Sequence, residues 1–514
     1  MDSIELYATA LDAFKAKNFD EALKLVDELK VAEPAWKKPF LLEAYVLREQ
    51  GRLVDLVTVA QKLLNSLDTT LPAEKVLAAD ALNILGMACS RLAMPESAAE
   101  LLTLCARSSQ TNAEACTEIS NALFAAAASE TFTRADFAAL YDEYKAYLSD
   151  VTPFAPKSYT HEKIRVGFVS ADLHKHPVIF WSFALLTRLD KNRFATYFYS
   201  ADKSFDAVTK HLQATADGWR DISTLTDFDA ATLIREDEID ILFDLSGHTA
   251  DNRLRVAAFR PATVQISGVG FVNSTGLDCF EYFLSDVHCA GDESWFAEKL
   301  IRLPHSHICY EPPPMPEVSA PPHVRNGFVT FGSFNNYSKV TDSVLVAWKK
   351  ILDRVPKSRL VLKHKVFDAS DCKKFIVKRL KSFGFKMRRV DLRGFTANYL
   401  ADYADIDVAL DTFPYTGGVT TCEALYMGVP VVSLYGARHG SRFGLSMLTN
   451  VGIDELAVAT FEEYVALAVM LANDSELLTL LRRNLRVMVK NSPLMDATAY
   501  VRDVEKVFAD VVHK

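Results

Sequence analysis

The stretch Leu410-Asp411-Thr412-Phe413-Pro414-Tyr415-Thr416-Gly417-Gly418-Val419-Thr420-Thr421-Cys422-Glu423-Ala424-Leu425-Tyr426-Met427-Gly428-Val429-Pro430 holds the residues best suited to chemistry. It reads as strand, loop, helix, turn and strand. Gly417 and Gly418 let the backbone approach a ligand, and Thr420 and Thr421 put hydroxyls on the first helical turn. Such a helix start attracts phosphate, because its free N–H groups and the positive end of its dipole face the same way. An ordinary capped helix in a sheet crossover would carry the same pattern, so phosphate binding is one of two readings. Glu423, in the first turn, is placed to accept from the hydroxyls of a ribose.

Three further segments follow strand ends, where open α/β sheets bind ligands. In Phe331-Gly332-Ser333-Phe334-Asn335-Asn336-Tyr337-Ser338-Lys339 the lysine can stabilise a diphosphate leaving group, although a surface lysine would look the same. Ala171-Asp172-Leu173-His174-Lys175-His176-Pro177-Val178 and Asp244-Leu245-Ser246-Gly247-His248-Thr249 each bring a histidine to where a cleft should open. His176 and His248 are therefore candidates for a polar or proton-transfer role, set against the commoner structural role of a lone histidine.

Standard signatures are missing. The sequence has no G-x-G-x-x-G, Walker loop, H-E-x-x-H or G-x-S-x-G, which removes dinucleotide oxidoreductases, P-loop NTPases and serine hydrolases. The Asp-x-Asp triplets at Asp227 and Asp229 and at Asp405 and Asp407 are too short a pattern to define a metal site, and no metal or cofactor is expected. The eight cysteines are scattered without a C-x-x-C pair and read as reduced thiols.

The elements that must position these residues fall into three parts. From residue 3 to about 150 the apolar spacing is helical throughout. Similar segments around Ala22, Leu56 and Ala98 recur at 34 and 42 residues, and the first spacing is that of a tetratricopeptide repeat. A stack of such helix pairs offers a concave surface to an extended polypeptide; an irregular bundle is the alternative. Pro153 and Pro156 close the helical part. Apolar runs rich in Val, Ile, Phe and Tyr then alternate with helical stretches, as in βαβ units. Strands are expected at 164–169, 195–200, 239–245, 263–268 and 300–303 and, after the prolines between Pro312 and Pro322, at 328–334, 360–363, 390–392, 406–410 and 431–434. The predicted organisation is an all-α domain over 1–150, a Rossmann-like lobe over 160–311 and a second lobe with closing helices over 326–514.

A chain of 514 residues, with 49% hydrophobic and 24% charged residues, suits two to four ordinary globular units. A net charge of −9 argues against a nucleic-acid partner. The sequence shows no leader-like basic and apolar start and no run near the ~18 apolar residues of a membrane span, so a cytoplasmic location without a span is expected.

Taken together, His176-Pro177-Val178, Gly247-His248-Thr249, Arg260-Pro261-Ala262, the 331–336 segment, and the motif from Asp411 to Pro430 resemble the catalytic region of the protein O-GlcNAc transferase and Spindly family. The resemblance spans roughly residues 160 to 510. It implies an α/β GT-B glycosyltransferase of two Rossmann-like lobes. It also implies metal-independent, inverting transfer of N-acetylglucosamine from UDP-N-acetylglucosamine to Ser or Thr of polypeptide acceptors. By that resemblance Lys339 contacts the diphosphate, Thr420 and Thr421 are the hydroxyl pair of the phosphate-binding helix, and Glu423 holds the ribose. Asn336 stands near the phosphates, Tyr399 stands where a ring could stack on the base, and His176 is the cleft histidine. Two positions depart from the animal enzymes: Val419 replaces a histidine, and Gly270-Phe271-Val272 replaces a glycine-tyrosine-proline segment. They leave GDP-fucose and other nucleotide hexoses as alternative donors, with a silent binding scaffold as the rival from another class. His176-Pro177-Val178 is more like the O-GlcNAc transferases than Spindly and favours uridine.

Overall fold

The computed structural model of the chain describes residues 2–512. Its first part is a series of helix pairs: α1 (Ser3–Lys15), α2 (Phe19–Ala32), α3 (Lys38–Glu49), α4 (Leu53–Asn65), α5 (Pro72–Arg91), α6 (Pro95–Ser108), α7 (Asn112–Ala126) and α8 (Arg134–Ala146). The repeat is written into the backbone as well as the sequence. Lys17, Gly51 and Ala93, at φ of 59°, 70° and 60°, make the left-handed turns into α2, α4 and α6, at the same spacing as Ala22, Leu56 and Ala98. Those last three residues sit in the second helix of each pair with no exposed surface, so each helix buries its small face only against its neighbours. The helices α1, α7 and α8 start in capping boxes at Asp2, Thr111 and Thr133.

Two parallel sheets follow, each covered by helices. In the first, β1 (Ile164–Ser170), β2 (Phe194–Ser200), β3 (Gly218–Asp221), β4 (Ile241–Asp244), β5 (Val264–Gly268), β6 (Tyr282–Asp286) and β7 (Lys299–Leu303) lie in the order β3-β2-β1-β4-β5-β6-β7. In the second, β8 (Thr330–Ser333), β9 (Arg359–Lys363), β10 (Val390–Arg393), β11 (Val408–Leu410), β12 (Val431–Leu434) and β13 (Ala457–Val458) lie in the order β10-β9-β8-β11-β12-β13. Burial on both faces explains their continuous apolar runs. The expected strands all form; β3, β6 and β13 are additional. The whole is the GT-B arrangement expected from the resemblance.

The order of strands reverses between β1 and β4 and again between β8 and β11, which are the switch points where a doubly wound sheet opens a crevice. The four loops singled out above leave from the carboxyl ends of these four strands. Topology therefore places all four loops at the switch points of their sheets.

The three parts are bound together. Asp371 of the second lobe accepts from the Val54 and Asp55 amides at 2.9 and 3.3 Å, satisfying free N–H groups at the start of α4. Tyr141 of α8 donates to the Ser274 carbonyl of the first lobe at 3.0 Å. The last helix, Ala497–Val512, falls in the stretch assigned to the second lobe, yet it packs on the first. There Glu505 accepts from the Asp190 amide at 2.7 Å, and Phe508 meets Phe194 and Phe243. No single helix among the described residues is long and apolar enough to cross a membrane.

Both Asp-x-Asp triplets have local structural roles. Asp407 accepts from the amides of His323 and Thr330, and Asp405 pairs with Arg325 and Arg393. Asp227 pairs with Arg255, and Asp229 accepts from the Thr226 hydroxyl at the start of its helix.

Candidate active site

The loop after β11 is organised by a carboxylate. Asp411 is 1% exposed and accepts from the Thr412 and Gly417 amides at 2.9 and 2.6 Å, from Asn335 at 3.3 Å and from the Ser433 hydroxyl at 2.7 Å. Burial pushes its carboxyl upward, and these donors and the Lys339 charge pull it back. The glycines here answer to space. A Cβ at Gly417 would lie 2.4 Å from the Thr421 hydroxyl, and one at Gly418 would lie 2.5 Å from the Trp181 ring of the first lobe. The helix Val419–Tyr426 begins at Gly418 without a side-chain cap, so its first N–H groups have no side chain competing with an anion.

Lys339 sits in a short 3-10 turn after β8, aimed at this loop. Its Nζ donates to the Thr416 carbonyl at 2.9 Å and stands 3.6 Å from the centre of the Tyr415 ring. Burial lowers its pKa to about 8, with the Asp411 charge opposing the shift, so the ammonium is retained near neutrality. Thr420 donates from its hydroxyl to Asn335 Oδ1 at 3.0 Å, linking the helix start to the β8 loop. Asp411, Asn335, Gly417 and Thr420 thus form one hydrogen-bonded cluster at the switch point, and Lys339 joins it through the Thr416 carbonyl. Asn336 is exposed beside it, and its side chain accepts from the Ser338 amide at 3.2 Å.

Glu423 and Thr421 lie deeper than their sequence positions suggest. Thr421 is 2% exposed and Glu423 1%. The Glu423 carboxylate accepts from the Tyr399 hydroxyl and, at 3.4 Å, from the Tyr403 hydroxyl, which also reaches the Thr420 carbonyl at 3.2 Å. Burial raises Glu423 to about 7, against the two hydroxyl donors. In this arrangement Glu423 fixes the orientation of the Tyr399 ring. To accept from a ribose it would have to share oxygens already engaged by the two tyrosines.

In the first lobe the two histidines separate. His176 is half-exposed and its Nδ1 stands 3.2 Å from Asp172 Oδ1; burial lowers its pKa, with the carboxylate opposing. It lines a 920 Å³ cleft together with Asn336, Arg48 and Arg91 of the helical part and His364 and Lys365 of the second lobe. All three parts of the chain meet there. His248, expected in the same cleft, is 1% exposed instead. Its Nε2 donates to the Thr275 carbonyl at 2.8 Å and its Nδ1 accepts from the Ser120 hydroxyl of α7 at 2.9 Å. Tyr141, Tyr144 and Phe271 surround the ring, and burial depresses its pKa to about 4. With both nitrogens committed, His248 fastens the helical part to the first lobe and has no free atom for substrate.

Asn335, Asp411, Thr416 and Tyr403 all belong to the cluster but were not expected to have roles. Asn335 and Asp411 stood inside the quoted motifs. Two polar residues capping the carboxyl ends of adjacent strands at a switch point were the available signal. The Thr416 contact is made by a main-chain carbonyl, for which side-chain identity gives no signal.

Comparison with known proteins places this arrangement. The model of glycosyl transferase family 41 matches residues 146–313 and 322–504. The chain belongs to family 41. Among similar proteins, a barley (Hordeum vulgare) protein named as a probable UDP-N-acetylglucosamine–peptide N-acetylglucosaminyltransferase SPINDLY is 39% identical over 359 residues. That match covers 68% of this chain and 38% of the relative. The SPINDLY protein of Arabidopsis thaliana is 37% identical over 388 residues, 74% of this chain and 42% of its own. The chain thus spans about two fifths of the length of these plant relatives. Among solved structures, a lysine-to-methionine mutant of the Thermobaculum terrenum O-GlcNAc transferase superposes with a TM-score of 0.86 at 29% identity. That match covers 99% of this chain and 97% of the other, so the likeness includes the helical part.

Proposed function

We propose that this family 41 chain transfers N-acetylglucosamine from UDP-N-acetylglucosamine to Ser or Thr hydroxyls of polypeptides, with inversion and without a metal ion. The observation that carries the reading is the convergence of the Lys339 ammonium and the uncapped start of the Val419–Tyr426 helix at the β8/β11 switch point. There the diphosphate of a nucleotide sugar finds one full positive charge and a row of backbone donors. The names of the plant relatives and of the Thermobaculum enzyme support the same donor and acceptor class.

In the proposed reaction an acceptor hydroxyl oxygen attacks the anomeric carbon from the face opposite the diphosphate. The new C–O bond forms as the bond to the diphosphate oxygen breaks, and UDP departs with the electron pair. Lys339 and the helix N–H groups stabilise the charge growing on that oxygen, the task a divalent cation performs elsewhere. The hydroxyl proton passes to His176, whose lowered pKa keeps the ring neutral and able to accept, or to water held beside it. Asp172 orients that ring and stabilises its charged form. The cleft bounded by Arg48, Arg91 and His176 is the route by which a polypeptide reaches the anomeric carbon.

A thermal-shift series with UDP, GDP and their sugar conjugates tests the donor. A ligand at 100 times its Kd stabilises by about 2.7 kcal/mol. UDP and UDP-N-acetylglucosamine should raise Tm and GDP should not; stabilisation by GDP alone would move the activity to fucosyl transfer.

A further inference from the structure

Cys289, His307 and His439 stand together outside the site described above, and one potential ligand atom from each lies within 4.8 Å of the other two. All are buried, at 0%, 2% and 1% exposure. Cys289 and His307 follow β6 and β7 of the first lobe, whereas His439 belongs to a 3-10 turn after β12 of the second. The trio therefore bridges the two lobes.

The surroundings are those of ligand histidines. A metal-bound imidazole almost always donates its second ring N–H to a carboxylate or carbonyl, which fixes the tautomer and aims the free nitrogen. His307 Nδ1 lies 2.5 Å from Asp286 Oδ2, and Asp286 is itself held by the amides of His288, Cys289 and His307 and by the Ser446 hydroxyl. His439 Nδ1 lies 3.3 Å from the Val272 carbonyl, leaving Nε2 beside the Ser285 hydroxyl at 3.0 Å. With the Nδ1 proton given to that carbonyl, Nε2 accepts from the Ser285 hydroxyl, which must turn aside for Nε2 to bind an ion. Phe283, Phe296 and Phe443 close over the rings as an apolar shell. The Cys289 thiol donates to the Arg442 carbonyl at 3.4 Å.

We infer that Cys289, His307 and His439 form a structural zinc site that staples the two lobes together. Two imidazoles and one thiolate match the ligand preference of zinc, and the tetrahedral edges of such a site, roughly 3.3–3.8 Å, are reached from separations within 4.8 Å by a closure of at most about 1.5 Å. The fourth position falls to water or to a neighbouring hydroxyl. On binding, the Cys289 S–H bond breaks, its proton leaves to solvent and the sulfur bonds the ion. No electron is transferred. The staple acts on the nucleotide-binding loop through the next residue. The Gly440 carbonyl accepts from both the Thr416 amide at 3.1 Å and the Thr416 hydroxyl at 2.9 Å, and Thr416 in turn holds Lys339.

The test uses the full chain, produced in zinc-supplemented medium, purified without chelator and desalted before elemental analysis. The expected result is one zinc ion per chain. Cys289→Ala and His307→Gln should each lose it, and the cobalt-grown protein should show a thiolate-to-cobalt charge-transfer band that Cys289→Ala lacks. Wild-type protein holding less than about 0.1 zinc per chain would overturn the inference. So would zinc retained in full by a folded Cys289→Ala variant, or cobalt protein without the thiolate band. None of these readouts depends on transferase activity, so they stand apart from the proposed reaction.

Discussion

Lys339 Nζ donates to the main-chain carbonyl of Thr416 at 2.9 Å, so the one full charge aimed at the proposed diphosphate is positioned by backbone. Thr416 is tied in turn to Gly440 by its amide and its hydroxyl. The lysine is therefore held before substrate arrives, and little reorganisation remains for the moment of bond breaking.

Lys339→Ala should lower kcat by about 10²-fold, or roughly 3 kcal/mol, while Tm stays within a few degrees of the parent. Steady-state kinetics beside a melting curve checks this. Added magnesium or manganese should leave the wild-type rate unchanged, because the proposed reaction gives the leaving group's charge to Lys339 and the helix start. Near-normal turnover in the alanine variant would remove Lys339 from the mechanism.

Glu423 supplies a pH signature. Its carboxyl is raised to about 7 in the folded chain from an ordinary 4.5, so between those values the native state holds a proton that the unfolded state has released. The Glu423 contribution to stability is thus full below about pH 4.5 and falls by up to roughly 1.4 kcal/mol per pH unit toward 7. Glu423→Gln should flatten the decline of Tm between pH 5 and pH 8 seen in the ligand-free parent. An identical slope in both proteins would show that Glu423 is ionised throughout.

His248 behaves oppositely. Its folded pKa of about 4 lies below the ordinary 6.5, so its contribution is complete above 6.5 and is lost as pH falls toward 4. His248→Ala should cost about 2–4 kcal/mol through the lost ring and its two hydrogen bonds. The turnover of the fraction that remains folded should match the parent. A variant of normal stability with abolished turnover would return His248 to the chemistry.

Much of this architecture is legible in the residues. The repeat is readable because Ala22, Leu56 and Ala98 are each fully buried at the same place in the second helix of a pair, where only apolar groups pack. The site-bearing strands are readable because parallel strands buried on both faces need unbroken apolar runs. The strand β3, Gly218–Asp221, escapes notice because it is four residues long at a sheet edge, opening on a glycine and closing on an aspartate. His248 illustrates a different limit. It leaves the end of β4 as a catalytic histidine would, but its fate is decided by Ser120, 128 residues earlier in the chain. Glu423 likewise looks available on a first helical turn, and only the fold brings Tyr399 and Tyr403 onto both its oxygens.

The most direct measurement is the mass of what the chain makes. Polypeptide acceptors incubated with purified protein and UDP-N-acetylglucosamine, then analysed by intact-mass and fragment-ion spectrometry, should gain the mass of single N-acetylhexosamines on Ser or Thr. Lys339→Ala should form that product about 10²-fold more slowly. Addition of a deoxyhexose from GDP-fucose with none from UDP-N-acetylglucosamine would contradict the account. So would unmodified acceptors alongside a folded, UDP-binding protein.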